Sequence, residues 1–358
     1  MKITVVGIGN SGSAIGGDLA LRGHDVTMLK SSTRPLSEHQ KSLFKTSRMT
    51  VLEGESAKTA DLALVTSDCE LALRGAELVI VCTQTDQHEP VLEKLSPYLV
   101  PGQTILFEPG YLATALVLKT LPTRDITVVE AASTPVNSRV VEPGVVRIAF
   151  RNVTNQVGIW PPTKQEATAS LLAATGYDWV FYQSVVEAAL HNPNLIVHTV
   201  GGFMSIPRIE ATEGDYWMYK EVFTPSVWNL VEALDNEKRA LLSALGLPDT
   251  PYVNSCHERN DRNNTENPKD AFFDWALNHS QRGPSTADSR YLTEDVPQGL
   301  AMLESLGKAT GVPTPVCSSL ITLSSAALRR DFRSSSARTQ ESLGLTQLQK
   351  ITGMQLGS

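Results

Sequence analysis

The feature that most constrains this chain is a glycine hexapeptide close to its start, Gly7-Ile8-Gly9-Asn10-Ser11-Gly12. It follows an apolar, β-branched run at residues 3–6 and precedes helically spaced apolar residues at 13–22. In a strand–turn–helix unit, Gly7 supplies a tight turn and Gly9 lets the backbone approach a bound group. Gly12 lets the helix pack closely on the strand. Unpaired N–H groups at the positive end of that helix suit a pyrophosphate. The spacing therefore predicts a dinucleotide site with Gly7, Gly9, Asn10, Ser11 and Gly12 as cofactor-binding residues. A glycine turn that serves packing alone is the bland alternative.

The first half repeats this grammar. Residues 3–6, 26–29, 78–82, 104–107 and 127–129 have the short apolar pattern of buried strands, and 13–22, 88–95 and 111–121 have helical spacing. Alternating strands and helices imply a parallel sheet covered on both faces. Residues 145–150, 156–160 and 179–182 are expected to complete that sheet, with a helix near 164–174. After about Gln183 the pattern turns helical: 185–199, 226–245, 268–277, 297–310 and 317–328, with a short polar break at 334–336 before a last segment, 340–354. The expected fold is an α/β Rossmann domain, doubly wound with a mostly parallel sheet, over residues 1–183. An all-α C-terminal domain follows over 184–358.

With 31 Lys and Arg against 38 Asp and Glu, the net charge is −7, and no basic cluster is visible. Nucleic acid is thus not expected as a partner, because neutralising phosphates needs a clustered basic face. No apolar run approaches the roughly 20 residues of a membrane span, so no membrane partner is expected. The chain opens on a strand with no basic, apolar leader, and its four cysteines are scattered without a C-x-x-C pair. Both point to a cytoplasmic location. No metal is expected, since the Cys256-His257 neighbours lack further ligands. A homodimer is compatible with the chain.

Where the second strand ends, an NAD site usually has a carboxylate for the ribose 2′-hydroxyl. Here Lys30-Ser31-Ser32-Thr33-Arg34 follows instead. Lys30, Ser31, Ser32 and Arg34 would offer donors to a 2′-phosphate. NADP(H) is the expected cofactor, with NAD(H) as the second choice. Solvated surface charges at Lys30 and Arg34 are the alternative.

Two stretches in the helical half could carry chemistry: the run from His191 through Asn192, Asn194 and His198, and the run from Arg290 through Glu294 and Asp295. A histidine held by a carboxylate is a usable acid/base near neutral pH, and an arginine suits a substrate carboxylate. From composition alone, a satisfied core histidine at His198 is the commoner outcome. Further motifs are Pro109-Gly110 after one central strand and Glu130-Ala131-Ala132-Ser133-Thr134 after the next. Thr224-Pro225-Ser226-Val227, Gly311-Val312-Pro313-Thr314-Pro315, Ala337-Arg338-Thr339 and Leu343-Gly344-Leu345 complete the set.

With the glycine fingerprint, Asn192-x-Asn194-x-x-x-His198 and Arg290-Tyr291-x-x-Glu294-Asp295-Val296, the chain resembles the opine dehydrogenase family along nearly its whole length. That family includes octopine and nopaline synthases and the N-(1-D-carboxyethyl)-L-norvaline dehydrogenase type. The resemblance implies NAD(P)H-dependent reductive condensation of an α-amino acid with a 2-oxo acid such as pyruvate. It implies His198 as acid/base, Asp295 as its partner and Arg290 as the carboxylate-binding cation. Asn194 and Thr134 are expected with the substrates, and Thr83 and Gly110 with the cofactor. The chain departs from the family pattern at Thr199, where proline is common, and at Cys82-Thr83-Gln84-Thr85. The aromatic stretch Asp215-Tyr216-Trp217-Met218-Tyr219 also differs. Glu213, Asp215 and Glu221 are positioned in sequence to meet a cationic side chain or simply to be solvated.

Two rival readings share the first half. A reductase of the ketopantoate reductase or glycerol-3-phosphate dehydrogenase type would use a lysine on the helical domain, and residues 185–198 contain none. A non-catalytic NADP sensor would not need the set of His198, Asp295 and Arg290.

Overall fold

A computed structural model describes residues 1–260 and 266–357. The chain divides into two compact units, Met1–Val185 and Val186–Ser358. The first unit holds twelve strands among its described residues: β1 Lys2–Val6, β2 Asp25–Leu29, β3 Arg48–Glu53, β4 Ser56–Asp61, β5 Leu64–Thr66 and β6 Leu78–Val81. They continue with β7 Thr104–Phe107, β8 Thr127–Ala131, β9 Val136–Glu142, β10 Val145–Arg151, β11 Asn155–Trp160 and β12 Trp179–Phe181.

Eight of them form one sheet in the order β12-β11-β8-β7-β6-β1-β2-β5, parallel throughout except where β11 runs against β8. Every residue of β6, β7 and β8 is buried, as expected of strands covered on both faces. The strand order reverses between β1 and β6, so their carboxyl ends form the crevice where doubly wound sheets bind ligands.

The expected placement of residues 145–150 in this sheet is corrected. β10 belongs to a second sheet, β4-β3-β10-β9. Its residues alternate between buried and exposed, unlike the continuously buried central strands. The helix Asn10–Leu21 packs against strands of both sheets, and its residues Gly12–Leu19 are all buried. Its small side chains allow that double burial.

The second unit is helical. At its centre lies Asn194–Met204, whose residues from Leu195 to Gly202 are all buried. An apolar surface on every side requires neighbours on every side. Pro225–Ala244, Arg290–Thr293, the π-turn Val296–Leu300 and Pro315–Leu328 supply them. The single helix expected over 185–199 is in fact two, Val185–Leu190 and Asn194–Met204. Pro193 disfavours helical backbone at Asn192, and the Asn192 side-chain carbonyl accepts the Asn194 N–H at 3.0 Å, restarting the helix. The last segment, 340–354, forms two short helices that meet at Gly344, Gln340–Leu343 and Leu345–Thr352. No described helix is long and apolar enough to cross a membrane.

Candidate active site

The first-unit site starts at the glycine turn. A Cβ at Gly12 would overlap the Gly7 carbonyl oxygen, so only glycine permits the helix to begin so close to β1. A Cβ at Gly9 would meet open space, which leaves the backbone accessible. The first turn of Asn10–Leu21 carries no acidic side chain, and Ser11 stands half-buried in it. The Thr83 hydroxyl, beside Gly7, is buried without a hydrogen-bond partner. These features fit a dinucleotide whose phosphates rest on the helix N-terminus.

Neighbouring groups hold this turn in shape. Asn10 is committed to the second sheet: its Oδ1 accepts the Val140 N–H at 2.8 Å, and its carbonyl accepts Ser138 Oγ at 3.1 Å. Gln40 Nε2 donates to the Ile8 carbonyl at 3.1 Å. The Gly144 N–H donates to His39 Nδ1, so Nε2 carries the ring hydrogen and donates to Ser13 Oγ at 2.9 Å. Burial lowers the His39 pKa and keeps the ring neutral in that role.

The loop after β2 changes the role expected of Lys30. The residue is 7 % exposed, and its ammonium donates to the Ser32 carbonyl, Ser32 Oγ and the Arg34 carbonyl, at 2.5, 3.1 and 2.6 Å. Three donors meet three acceptors, so Lys30 shapes the loop from within. Arg34 is exposed, and Ser31 receives Lys94 on its carbonyl at 2.8 Å.

Gly110 lies against the Glu130 side chain, whose Oε1 accepts the Thr114 N–H at 2.7 Å in the first turn of Ala113–Thr120. Glu130 thus satisfies an otherwise orphaned helix donor. Thr134 is half-buried and donates its hydroxyl to the Val136 carbonyl at 3.1 Å, so its visible contact is within its own turn.

In the second unit, His198 and Asp295 come together across 97 positions: Nδ1 lies 2.8 Å from Asp295 Oδ2. His198 is 9 % exposed and Asp295 1 %. A carboxylate only accepts, so Nδ1 carries the hydrogen and the ring is fixed in one tautomer. Asn194 stands one helical turn earlier, on the same face as His198. Arg290 is exposed, with Nε 3.3 Å from the buried carboxylate of Glu294.

Sequence reasoning missed Tyr291 and Glu294, although both lie inside the motif that carried Arg290 and Asp295. Tyr291 stacks on the His198 ring with centroids 3.6 Å apart and planes within 8°. The aromatic stretch is partly core: Tyr216 is fully buried, and Tyr219 packs on Phe223 and Trp275. Asp215 pairs with Arg282 and Glu221 with Arg208, while Glu213 is exposed at a helix end.

Two family descriptions divide the chain along the same line as its units. Residues 3–162 match ketopantoate reductase PanE/ApbA, and residues 181–328 match NAD/NADP octopine/nopaline dehydrogenase, alpha-helical domain. Opine dehydrogenase from Arthrobacter sp. (strain 1C) is 28 % identical over 349 residues, 96 % of this chain and 95 % of that protein. A solved octopine dehydrogenase, described with NADH and L-arginine, superposes with a TM-score of 0.78 at 17 % identity, covering 100 % of this chain and 99 % of the other. Yersinopine dehydrogenase, described with NADP+ bound, gives a TM-score of 0.71 at 14 % identity over 96 % and 94 %. The ketopantoate reductase description thus falls on the Rossmann half, and the octopine/nopaline dehydrogenase description on the helical half that holds His198, Asp295 and Arg290. Over nearly its whole length the chain is therefore similar to the opine dehydrogenases, with the octopine/nopaline dehydrogenase description matching its helical half.

Proposed function

We propose that this protein reductively condenses the α-amino group of an amino acid with a 2-oxo acid such as pyruvate, giving a secondary-amine dicarboxylate. The observation that carries the reading is the buried His198–Asp295 pair in the opine-type helical unit. The amine must lose a proton to attack the ketone, and the carbinolamine must lose water to become an imine. A hydride and a proton then complete the secondary amine. The cofactor supplies the hydride. With Nδ1 held by Asp295, proton exchange with the substrates falls to Nε2.

Arg290 is assigned to a substrate carboxylate, and Glu294 at its Nε steadies the guanidinium so that the opposite edge can grip two oxygens. Arg290→Lys keeps the charge but loses the fork. The Michaelis constant for the oxo acid should rise about tenfold or more, with NAD(P)H affinity unchanged. Steady-state kinetics with unaltered constants would move Arg290 out of the site.

The cofactor preference follows the loop after β2. NADP(H) is favoured because Arg34 and the serine hydroxyls border the place where other sites hold a carboxylate. One charge-assisted contact favours NADPH by roughly 10- to 150-fold, near the lower figure at an exposed position. Arg34→Ala should weaken NADPH alone. Lys30→Met should weaken NADPH and NADH together, because it removes the three hydrogen bonds that shape the loop. Fluorescence titration of both cofactors separates the two effects, and equal affinities in the unmodified protein would refute the preference.

The reaction itself is tested by a matrix of amino acids against oxo acids, scored by NADPH oxidation. Oxidation that requires both co-substrates supports the condensation. Oxidation with an oxo acid alone would favour the ketopantoate reductase type of chemistry, and none in any combination would favour a sensor.

A further inference from the structure

The face-to-face contact between His198 and Tyr291 is an unusual one for two neutral rings. Aromatic pairs generally prefer offset or edge-on arrangements, because each ring carries negative charge on its faces. Here the centroids are 3.6 Å apart and the planes lie within 8°. A cationic ring reverses the preference, since positive charge over a π face is attracted to it. The stack therefore matches an imidazolium better than an imidazole.

The contact is built into the backbone. Gly202 lies one helical turn beyond His198, and a Cβ there would come within 3.2 Å of the Tyr291 Cβ. Without a side chain at Gly202, the short helix Arg290–Thr293 can approach Asn194–Met204 closely enough for the rings to meet. Asp295, two residues after the end of that short helix, reaches the same ring edge-on at Nδ1. One short segment thus grips the imidazole by its face and by its edge.

We propose that Tyr291 is a positioning residue for the reaction: its π face fixes the plane of His198 and favours the protonated ring when His198 holds a proton. The proposal rests on His198 being the acid/base, and it concerns the step in which the proton is held between its removal from the amine and its return.

The other ionisable groups around this helix have partners or roles of their own. The Tyr219 hydroxyl interacts electrostatically with Tyr291 and Asp295, and burial pushes its pKa well up, so it stays neutral. From Pro225–Ala244, Asp235 pairs with Lys238 and Glu237 accepts the Val316 and Cys317 N–H groups. From Pro315–Leu328, the Cys317 thiol donates to the Leu300 carbonyl. Glu294 faces Arg290. Asp295 meets the ring at its edge and Tyr291 at its face.

The test is an NMR titration of the His198 ring in Tyr291→Phe and Tyr291→Leu, without substrates, beside the pH profile of kcat/KM. Phenylalanine keeps the π face and should titrate close to the unmodified protein. Leucine keeps bulk but loses the face, so protonation should need a lower pH by about 0.5–1.5 units. The acidic limb of kcat/KM should move the same way. Gly202→Ala, which pushes the tyrosine off the ring without removing it, gives a second route to the same shift. An unshifted titration in both Tyr291→Leu and Gly202→Ala would overturn the proposal, as would Tyr291→Phe shifting as far as Tyr291→Leu. Because the titration needs no turnover, it separates failure of the stack from failure of the acid/base assignment. A shifted titration with an unmoved rate profile would place the stack correctly but remove His198 from catalysis, which also overturns the proposal.

Discussion

His198→Ala should lower turnover by about 10²- to 10⁴-fold while leaving NAD(P)H affinity nearly unchanged. The loss reflects the proton steps on either side of imine formation, which would fall to solvent water. The dinucleotide is proposed to bind at the glycine turn of the other unit, so cofactor titration by fluorescence should give wild-type curves. Asp295→Asn supplies a second arm. An amide can donate to Nδ1 as well as accept from it, which permits the wrong tautomer and removes the charge that favours the imidazolium. Its rate should also fall, with the acidic limb of kcat/KM moving to lower pH. Unchanged kcat in His198→Ala would end the acid/base assignment and leave the pair as a buried structural contact. Parallel loss of cofactor affinity would instead indicate disturbed packing around Asn194–Met204.

Much of the frame was legible because buried parallel strands have a distinctive composition. β6 reads Leu-Val-Ile-Val and β7 Thr-Ile-Leu-Phe, continuous apolar runs that form only where both faces are covered. The second sheet lacked that signature. β4, Ser-Ala-Lys-Thr-Ala-Asp, is exposed at all positions but one, and β9 carries Asn, Ser, Arg and Glu. Their pairing comes from the neighbouring chain, which local propensity does not record. β10 did show its difference, since alternation suits a half-covered sheet, but chain proximity suggested the wrong neighbour.

The site was legible unevenly. Residue types at Arg290 and Asp295 suggested chemistry, yet nothing local connects them to His198, nearly a hundred positions away; the family resemblance supplied that link. At Lys30 the residues alone left two partners open for a cation after β2, an external phosphate or the carbonyls of its own loop. Burial decides between them, and Lys30 is 7 % exposed. Tyr291 escaped notice because a tyrosine beside an arginine carries no signal until a helix elsewhere provides a glycine for it to approach.

A large pH effect on stability should come from Glu108, at the carboxyl end of β7. It is 3 % exposed, and its Oε2 is buried without a hydrogen-bond partner. Burial pushes its pKa from the ordinary 4.5 up to about 8. In the folded chain it stays protonated where the unfolded chain has already released the proton. Its contribution is therefore fully present below about pH 4.5 and is lost as pH rises through about 8. Over the whole window the change is at most about 5 kcal/mol, and between pH 6.5 and 8 about 2 kcal/mol. His191 acts in the opposite sense: burial pulls its pKa down to about 3, so its contribution is lost as pH falls below 6.5. The upper half of the window isolates Glu108 from it. Glu108→Gln has no proton to lose, so denaturant unfolding between pH 6.5 and 8 should give a flatter profile than the unmodified protein. Above pH 8 the variant should be the more stable of the two. Parallel profiles would mean that the Glu108 carboxyl ionises as an ordinary solvated acid, which a position this deep in the sheet does not allow without a cation beside it.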